Sequence, residues 1–288
     1  MENIAIVTDT TSDIPGKLCS RYQIEVLPLY VGYEGNLFLD GKEITNDQVY
    51  KKLKSGIKVN TSAPSIGDFV TLYKNLIEAG KKTLIYSIHL SSKLSSTFNI
   101  ACQARQFFPG ARIKTIDSKT AAINLGFIVL EAARAALRGE SEEKIDRLID
   151  FMIENNRLFA TIENFKYLFI GGRAPVLKKF LSRSIILKPI LVLDKGTVKL
   201  KKFVKNKKSS MIELYRQIKK GTHHTGRKKI GIFYGQDIGP ALQLEDMIRN
   251  DAKIEIDELI LSEITTIISA HTGPDIWGIS SCPVPNGL

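Results

Sequence analysis

The chain has 288 residues, of which 43% are apolar and 25% charged, with a formal net charge of +11. That length suits two domains, or one large one, with an ample core. No apolar run approaches the roughly 20 residues that span a bilayer, and Met1-Glu2-Asn3 lacks the basic start of a signal peptide, so a cytoplasmic protein is expected. Cys19, Cys102 and Cys282 are odd in number and far apart, which argues against a disulfide framework. No Cys/His spacing resembles a metal site. The charge is uneven: residues 1–150 carry 19 basic and 17 acidic side chains, and residues 151–288 carry 22 and 13. A solvated surface, a docking face for an acidic partner or phosphorylated ligand, and nucleic acid are the readings of such a basic half.

In chain order, Ile4–Thr8 is a short apolar strand. A helix follows, with Asp13 as the expected N-cap and Pro15 pre-set for the first turn. Ile24–Val31 reads as one strand. Thr45-Asn46-Asp47-Gln48 and Ser65-Ile66-Gly67-Asp68 read as capping boxes opening two helices. A strand at 83–88, a helix at 97–107, a strand at 112–116 and a helix at 120–137 complete an alternation that implies parallel βαβ units. Ser141 caps a further amphipathic helix to about Asn155, where a domain junction is expected: 1–155 and 156–288. Beyond it, 185–193 and 197–204 read as a hairpin turning on Asp194-Lys195-Gly196. A helix at 209–219, a strand at 229–234, a helix at 239–249 and a strand at 253–261 follow. The fold expected is α/β: a three-layer parallel-sheet domain and a second α/β domain with a mixed sheet.

Polar loops fall where such sheets bind ligands, at strand carboxyl ends and helix amino ends. Ser91-Ser92-Lys93-Leu94-Ser95-Ser96-Thr97 places five hydroxyls in seven residues without an adjacent base, a composition suited to holding an oxyanion. Asn60-Thr61-Ser62-Ala63-Pro64-Ser65 is a second hydroxyl loop, kept extended by Pro64. Asp9, at the end of the first strand, either orders its loop or acts as a phosphatase nucleophile, although Thr11 stands where the second aspartate of Asp-x-Asp-x-Thr would be. Asp117-Ser118 are caps or ligand groups at the same edge. Phe169-Ile170-Gly171-Gly172-Arg173-Ala174-Pro175 is a glycine turn presenting an arginine, either a surface residue past a helix end or an anion-binding group. His271 sits in the stretch Ile268–Gly278, read as a small-residue turn, whereas His223-His224 form a loop and His89 ends a strand. Lys199–Lys208 holds six lysines in ten residues, in part the solvated face of a strand.

Taken together these motifs resemble the DegV family of bacterial fatty-acid-binding proteins, which includes the acyl-carrier subunits of fatty acid kinase. The stretches carrying the resemblance are Val7–Asp13, Thr61–Ser65, Leu90–Thr97, Asp117–Lys119, Gly171–Arg173 and Ala270–Gly273, in family order. The resemblance implies two α/β domains with one long-chain fatty acid between or alongside them and no other cofactor. It places Thr61 or Ser62 and Ser92 or Ser95 on the carboxylate, with His271 near the head group. It makes Arg173 phosphate- or partner-facing and a fatty acid kinase the partner; Lys205 is expected to share that face, and the basic second half suits a transient membrane surface. Ser96 stands where the family has Gly.

Burying a methylene stabilises by about 0.8 kcal/mol, so a 16-carbon chain offers on the order of 10 kcal/mol. Its carboxylate needs several donors to leave water. Walker and Rossmann glycine motifs are absent, as is a Gly-x-Ser-x-Gly elbow. The expectation is a non-catalytic lipid carrier that presents its ligand to a kinase. The competing reading is a hydrolase or phosphatase of acyl esters or acyl phosphates using Asp9 and His271. Nucleic-acid binding through the lysine stripe has only Phe203 interleaved and no recognition motif, and is not expected.

Overall fold

The computed structural model describes residues 3–163, 165–174, 177, 186–220 and 226–284. Pro175, His223 and His224, singled out above, lie outside the described residues, as does Ile185 of the expected hairpin. In chain order the elements are β1 (Ile4–Asp9), a 3-10 turn (Thr10–Ser12), α1 (Gly16–Arg21), β2 (Ile24–Leu27), β3 (Tyr30–Tyr33), β4 (Asn36–Leu39), α2 (Asn46–Lys54), β5 (Asn60–Ser62) and α3 (Ile66–Glu78). Then come β6 (Leu84–His89), α4 (Thr97–Arg105), β7 (Ile113–Asp117), α5 (Ala122–Leu137), α6 (Glu142–Asn155), β8 (Arg157–Thr161) and α7 (Lys166–Ile170). The remainder is β9 (Lys188–Asp194), β10 (Thr197–Val204), α8 (Lys207–Lys220), β11 (Lys228–Tyr234), α9 (Gly239–Arg249), β12 (Ile256–Glu263), α10 (Thr266–Thr272) and β13 (Trp277–Pro283).

Three sheets result. A parallel one runs β2-β1-β6-β7, a mixed one runs β10-β9-β8-β13-β11-β12, and a small antiparallel one runs β4-β3-β5. In the parallel sheet the strand side chains alternate between two cores. Ala5, Val7 and Ile85 pack with Phe69, Tyr73 and Ala101 of α3 and α4. Ile6, Leu84 and Tyr86 face α5. The six-stranded sheet divides likewise, Leu158, Ala160, Leu191 and Phe233 toward α5 and Phe159, Ile190, Ile230 and Ile279 toward α8 and α9. Helix α5 thus lies between two sheets, and 12 of its 16 residues are buried, which accounts for its being largely apolar. Charged groups tie the same layers. Arg134 on α5 meets Glu258 on β12 at 2.7 Å, and buried Lys229 reaches Glu131, Asp257 and Glu258.

The expected capping boxes are present: Thr45 and Gln48, and Ser65 and Asp68, bond reciprocally, and Ser141 caps α6. Three readings need correction. Ile24–Val31 is two strands in different sheets, because Pro28 has no N–H to continue a ladder. Asp13 does not cap α1. It adopts φ 49°, and its Oδ1 accepts the Thr265 N–H at 3.1 Å, so its carboxylate serves the far end of the chain. His271 lies in the last turn of α10, not in an irregular small-residue turn.

The hairpin is formed as expected, with Lys195 and Gly196 both at positive φ, the requirement of a two-residue turn that follows sheet twist. Strand β10 is a sheet edge, and its exposed Lys199, Lys201 and Lys202 suit the protection of an unpaired edge. Two of them are ion-paired, to Asp194 and Glu213.

Candidate functional site

A cavity of about 290 Å³ opens where the three sheets meet. Its apolar wall comes from the α5-facing side of the six-stranded sheet, with Leu158, Ala160, Leu191, Leu193, Val198 and Phe233. Leu90, Leu94, Leu168 and Ile276 add to it. Its polar end is built from Thr61, Ser62, Ser95, Ser96, Arg173, His271 and Thr272. That volume stands at the small end of ligand pockets, which run about 300–1,000 Å³.

Each polar group is delivered by a different local device. Thr61 and Ser62 lie on β5, which pairs with β3 at Val31 and Tyr30. Thr61 Oγ1 lies 2.7 Å from His271 Nε2. His271 is brought there by α10, whose start is gripped from the first half of the chain. Asp13 holds the Thr265 N–H, Asp40 accepts from the Thr266 hydroxyl at 2.5 Å, and Asn46 donates to the Ile264 carbonyl. Gly171 permits the close fit on the other side, since a Cβ there would stand 2.2 Å from His271 Nδ1. That Nδ1 is buried and has no hydrogen-bond partner. Burial, and then the neighbouring Arg173 charge, lower the imidazole pKa from 6.5 to about 4, so the ring is neutral at pH 7.

Arg173 donates from Nη1 to the Gly171 carbonyl at 2.6 Å and from Nε to the Leu94 carbonyl at 3.2 Å. Both partners are neutral, and among the described residues no carboxylate pairs with it. Its pKa is lowered by burial. A half-buried guanidinium with only carbonyl partners, at the end of an apolar cavity, leaves a site that favours an anion.

The serine loop divides in two. Ser95 and Ser96 line the cavity, and the Ser95 hydroxyl lies 2.9 Å from Thr97 Oγ1. Ser92 is not brought to the cavity. Its hydroxyl donates to Asp117 at 2.5 Å and its N–H to the other oxygen of that carboxylate, so Ser92 and Asp117 brace the loop. Ser91 donates to the Gly196 carbonyl at 3.0 Å, clasping the β9–β10 hairpin. Lys205 is exposed just past β10 and is not among the residues lining the cavity.

Asp9 is fully buried and its carboxylate accepts four bonds, from the Thr11 N–H and hydroxyl, His89 Nδ1 and the Leu90 N–H. It orders the loop and is not among the cavity-lining residues, so the pairing of Asp9 with His271 as reacting groups finds no support. Residues that the sequence did not single out include Ala121 and Ala122 of the lining and the apolar wall that the six-stranded sheet supplies.

Residues 3–284 match the model of the DegV family, described as uncharacterised. The chain belongs to the DegV family. It is 33% identical over 276 residues to a DegV domain-containing protein of Staphylococcus aureus, covering 95% of this chain and 96% of the relative. It is 30% identical to one of Caldanaerobacter subterraneus, covering 97% and 98%. Among solved structures, one showing fatty-acid binding by a DegV family protein of Thermus thermophilus superposes with a TM-score of 0.93 at 28% identity, covering 98% of this chain and all of that one. DegV of Bacillus subtilis, a fatty-acid-binding protein, superposes at 0.88 with 25% identity, covering 99% of this chain and all of that one. The α/β fold with one parallel and one mixed sheet is therefore the DegV fold. No described helix is long and apolar enough to cross a membrane.

Proposed function

We propose that this protein is a non-catalytic carrier that binds one long-chain fatty acid, with the acyl chain in the apolar cavity and the carboxylate at its polar end. On this reading residues 1–155 and 156–288 act as two domains with the ligand between them. The observation that carries it is the Arg173 charge, which pairs with no carboxylate among the described residues, beside neutral His271 at the polar end of a cavity whose wall is Leu, Ile, Val, Ala and Phe. The fatty-acid binding of the Thermus thermophilus and Bacillus subtilis proteins supports the same ligand.

The hydrogen bonding follows from the geometry. An unpaired buried acceptor is tolerated better than an unpaired buried N–H. The imidazole proton therefore belongs on Nε2, donating to Thr61 Oγ1, and Nδ1 carries the lone pair. The Thr61 hydroxyl is then free to donate its own hydrogen to a carboxylate oxygen. Ser62 and Ser95 are further donors at that end, and Arg173 supplies the charge. Such a set also suits a more anionic acyl phosphate, and the presentation of the bound acid to a fatty acid kinase is the finer part of the proposal, with Arg173 and exposed Lys205 as the groups facing phosphate or partner.

Native mass spectrometry of the purified protein, followed by solvent extraction, tests the carrier reading. One long-chain fatty acid per chain is expected. A protein that is empty and takes up none when it is added would overturn it.

A further inference from the structure

A second cavity, of about 370 Å³, lies on the other side of the Asp13–Thr265 junction, lined by Thr10, Asp13, Asp40, Ser262, Glu263 and Thr265 among others. Its chemistry is unlike that of the first. Four buried oxygens at this one place have no hydrogen-bond partner: Oδ2 of Asp13, Oδ2 of Asp40, Oγ of Ser262 and Oγ1 of Thr265. Asp13, Asp40 and Ser262 are respectively 6%, 1% and 7% exposed. Each carboxylate uses Oδ1 to hold the start of α10, at Thr265 N–H and the Thr266 hydroxyl, and leaves Oδ2 unpaired. No Lys, Arg or His lines the cavity.

Two buried carboxylates without a counter-charge are costly, and each unpaired hydroxyl adds to the cost. The unpaired Ser262 hydroxyl is separate from the acidic pair and comes from the opposite half of the chain, on β12. All four oxygens are hard donors. Among the described residues no three His, Cys, Asp or Glu side chains converge to form a metal cage, so a bound ion would keep much of its water. Magnesium has that habit, binding through one or two carboxylates and retaining several waters, and its charge equals that of the two carboxylates.

We propose that this cavity binds one hydrated magnesium ion, taken by Asp13, Asp40, Ser262 and Thr265. The site is independent of the fatty-acid reading. It also escapes a search for Cys/His spacing, since every donor is an oxygen and the acidic pair is separated from the hydroxyl pair by more than 200 residues of chain.

The test is isothermal titration of the full chain, stripped with chelator, with magnesium chloride at fixed ionic strength, alongside thermal melts. Saturable binding of one ion per chain and a melting temperature that climbs with magnesium concentration are expected. Ser262→Ala removes a hydroxyl that has no protein partner, so this variant should fold as the parent does and bind about tenfold more weakly. Asp40→Asn should abolish binding. Absence of heat and of any melting shift at millimolar magnesium would overturn the proposal. So would a response in Ser262→Ala equal to that of the parent, whether or not Asp40→Asn folds.

Discussion

The Thr61 hydroxyl lies 2.7 Å from His271 Nε2 across 210 residues of chain, and this contact closes the polar end of the cavity. β5 brings one partner and α10 the other, so on the proposed reading head-group recognition depends on the two halves of the chain being docked. The same bond fixes which hydrogen remains for the ligand.

Thr61→Val keeps the shape of the side chain and removes that hydrogen. It leaves His271 Nε2 unpaired as well as the ligand oxygen, a loss of about 1–3 kcal/mol. Fatty-acid affinity, measured by displacement of a fluorescent analogue, is expected to fall about ten- to a hundredfold. An unchanged affinity would remove Thr61 from the head-group site.

Arg173 separates binding from stability. Its guanidinium is half-buried and has no carboxylate partner among the described residues, so Arg173→Met relieves a desolvated charge while giving up two bonds to carbonyls. The melting temperature of the lipid-free protein should hold or rise, and lipid retention should drop at least about tenfold. If both fell together, Arg173 would be a structural clamp between Gly171 and Leu94 and not an anion receptor.

These contrasts also show what was legible in the sequence. Capping boxes, the βαβ alternation and the Lys195-Gly196 hairpin are local, and each is found where its residues place it. The hydroxyl loops at the sheet edge were legible as a group, but their division of labour was not. Whether Ser92 or Ser95 faces the ligand depends on Asp117, a contact 25 residues away that only the fold supplies. Asp13 looks like a helix cap because its true partner, Thr265, is 252 residues distant. The cavity wall is illegible for a different reason: Leu158, Leu191 and Phe233 have the alternation of any buried sheet face, and the same chemistry lines a core and a lipid tunnel.

Acid should weaken the fold through His271. Its folded pKa of about 4 lies below its ordinary 6.5, so the unfolded chain takes up the proton first. The contribution is present above pH 6.5 and is lost as pH falls from there through 4, amounting to no more than about 3 kcal/mol. Asp13 works in the opposite sense, since burial raises its pKa and its contribution is lost as pH rises. His271→Gln isolates the first effect. The difference in melting temperature between parent and variant should shrink or reverse toward pH 4, and a difference constant from pH 7 to 4 would contradict the buried neutral imidazole.

Gly171 offers a test of His271 that leaves every polar group in place. A methyl at this position would stand 2.2 Å from Nδ1 and about 3.1 Å from Cγ of the ring, far inside contact distance. The ring is held on its other side by Thr61, and the backbone of α10 is fixed by Asp13 and Asp40 at its start. The imidazole has little room to retreat, so Gly171→Ala should push it off Thr61 or lift the turn that carries Arg173. Either movement dismantles the head-group site while Thr61, Ser62, Ser95, Arg173 and His271 all remain. Fatty-acid affinity is therefore expected to fall at least as far as in Thr61→Val, about tenfold or more. The histidine signal in an NMR spectrum of the lipid-free variant should move as well, with its titration midpoint rising toward 6.5 as the ring gains water. Parent-like affinity in a folded Gly171→Ala protein would mean that the ligand does not depend on where this imidazole stands, and the head group would have to be sought among the serines alone.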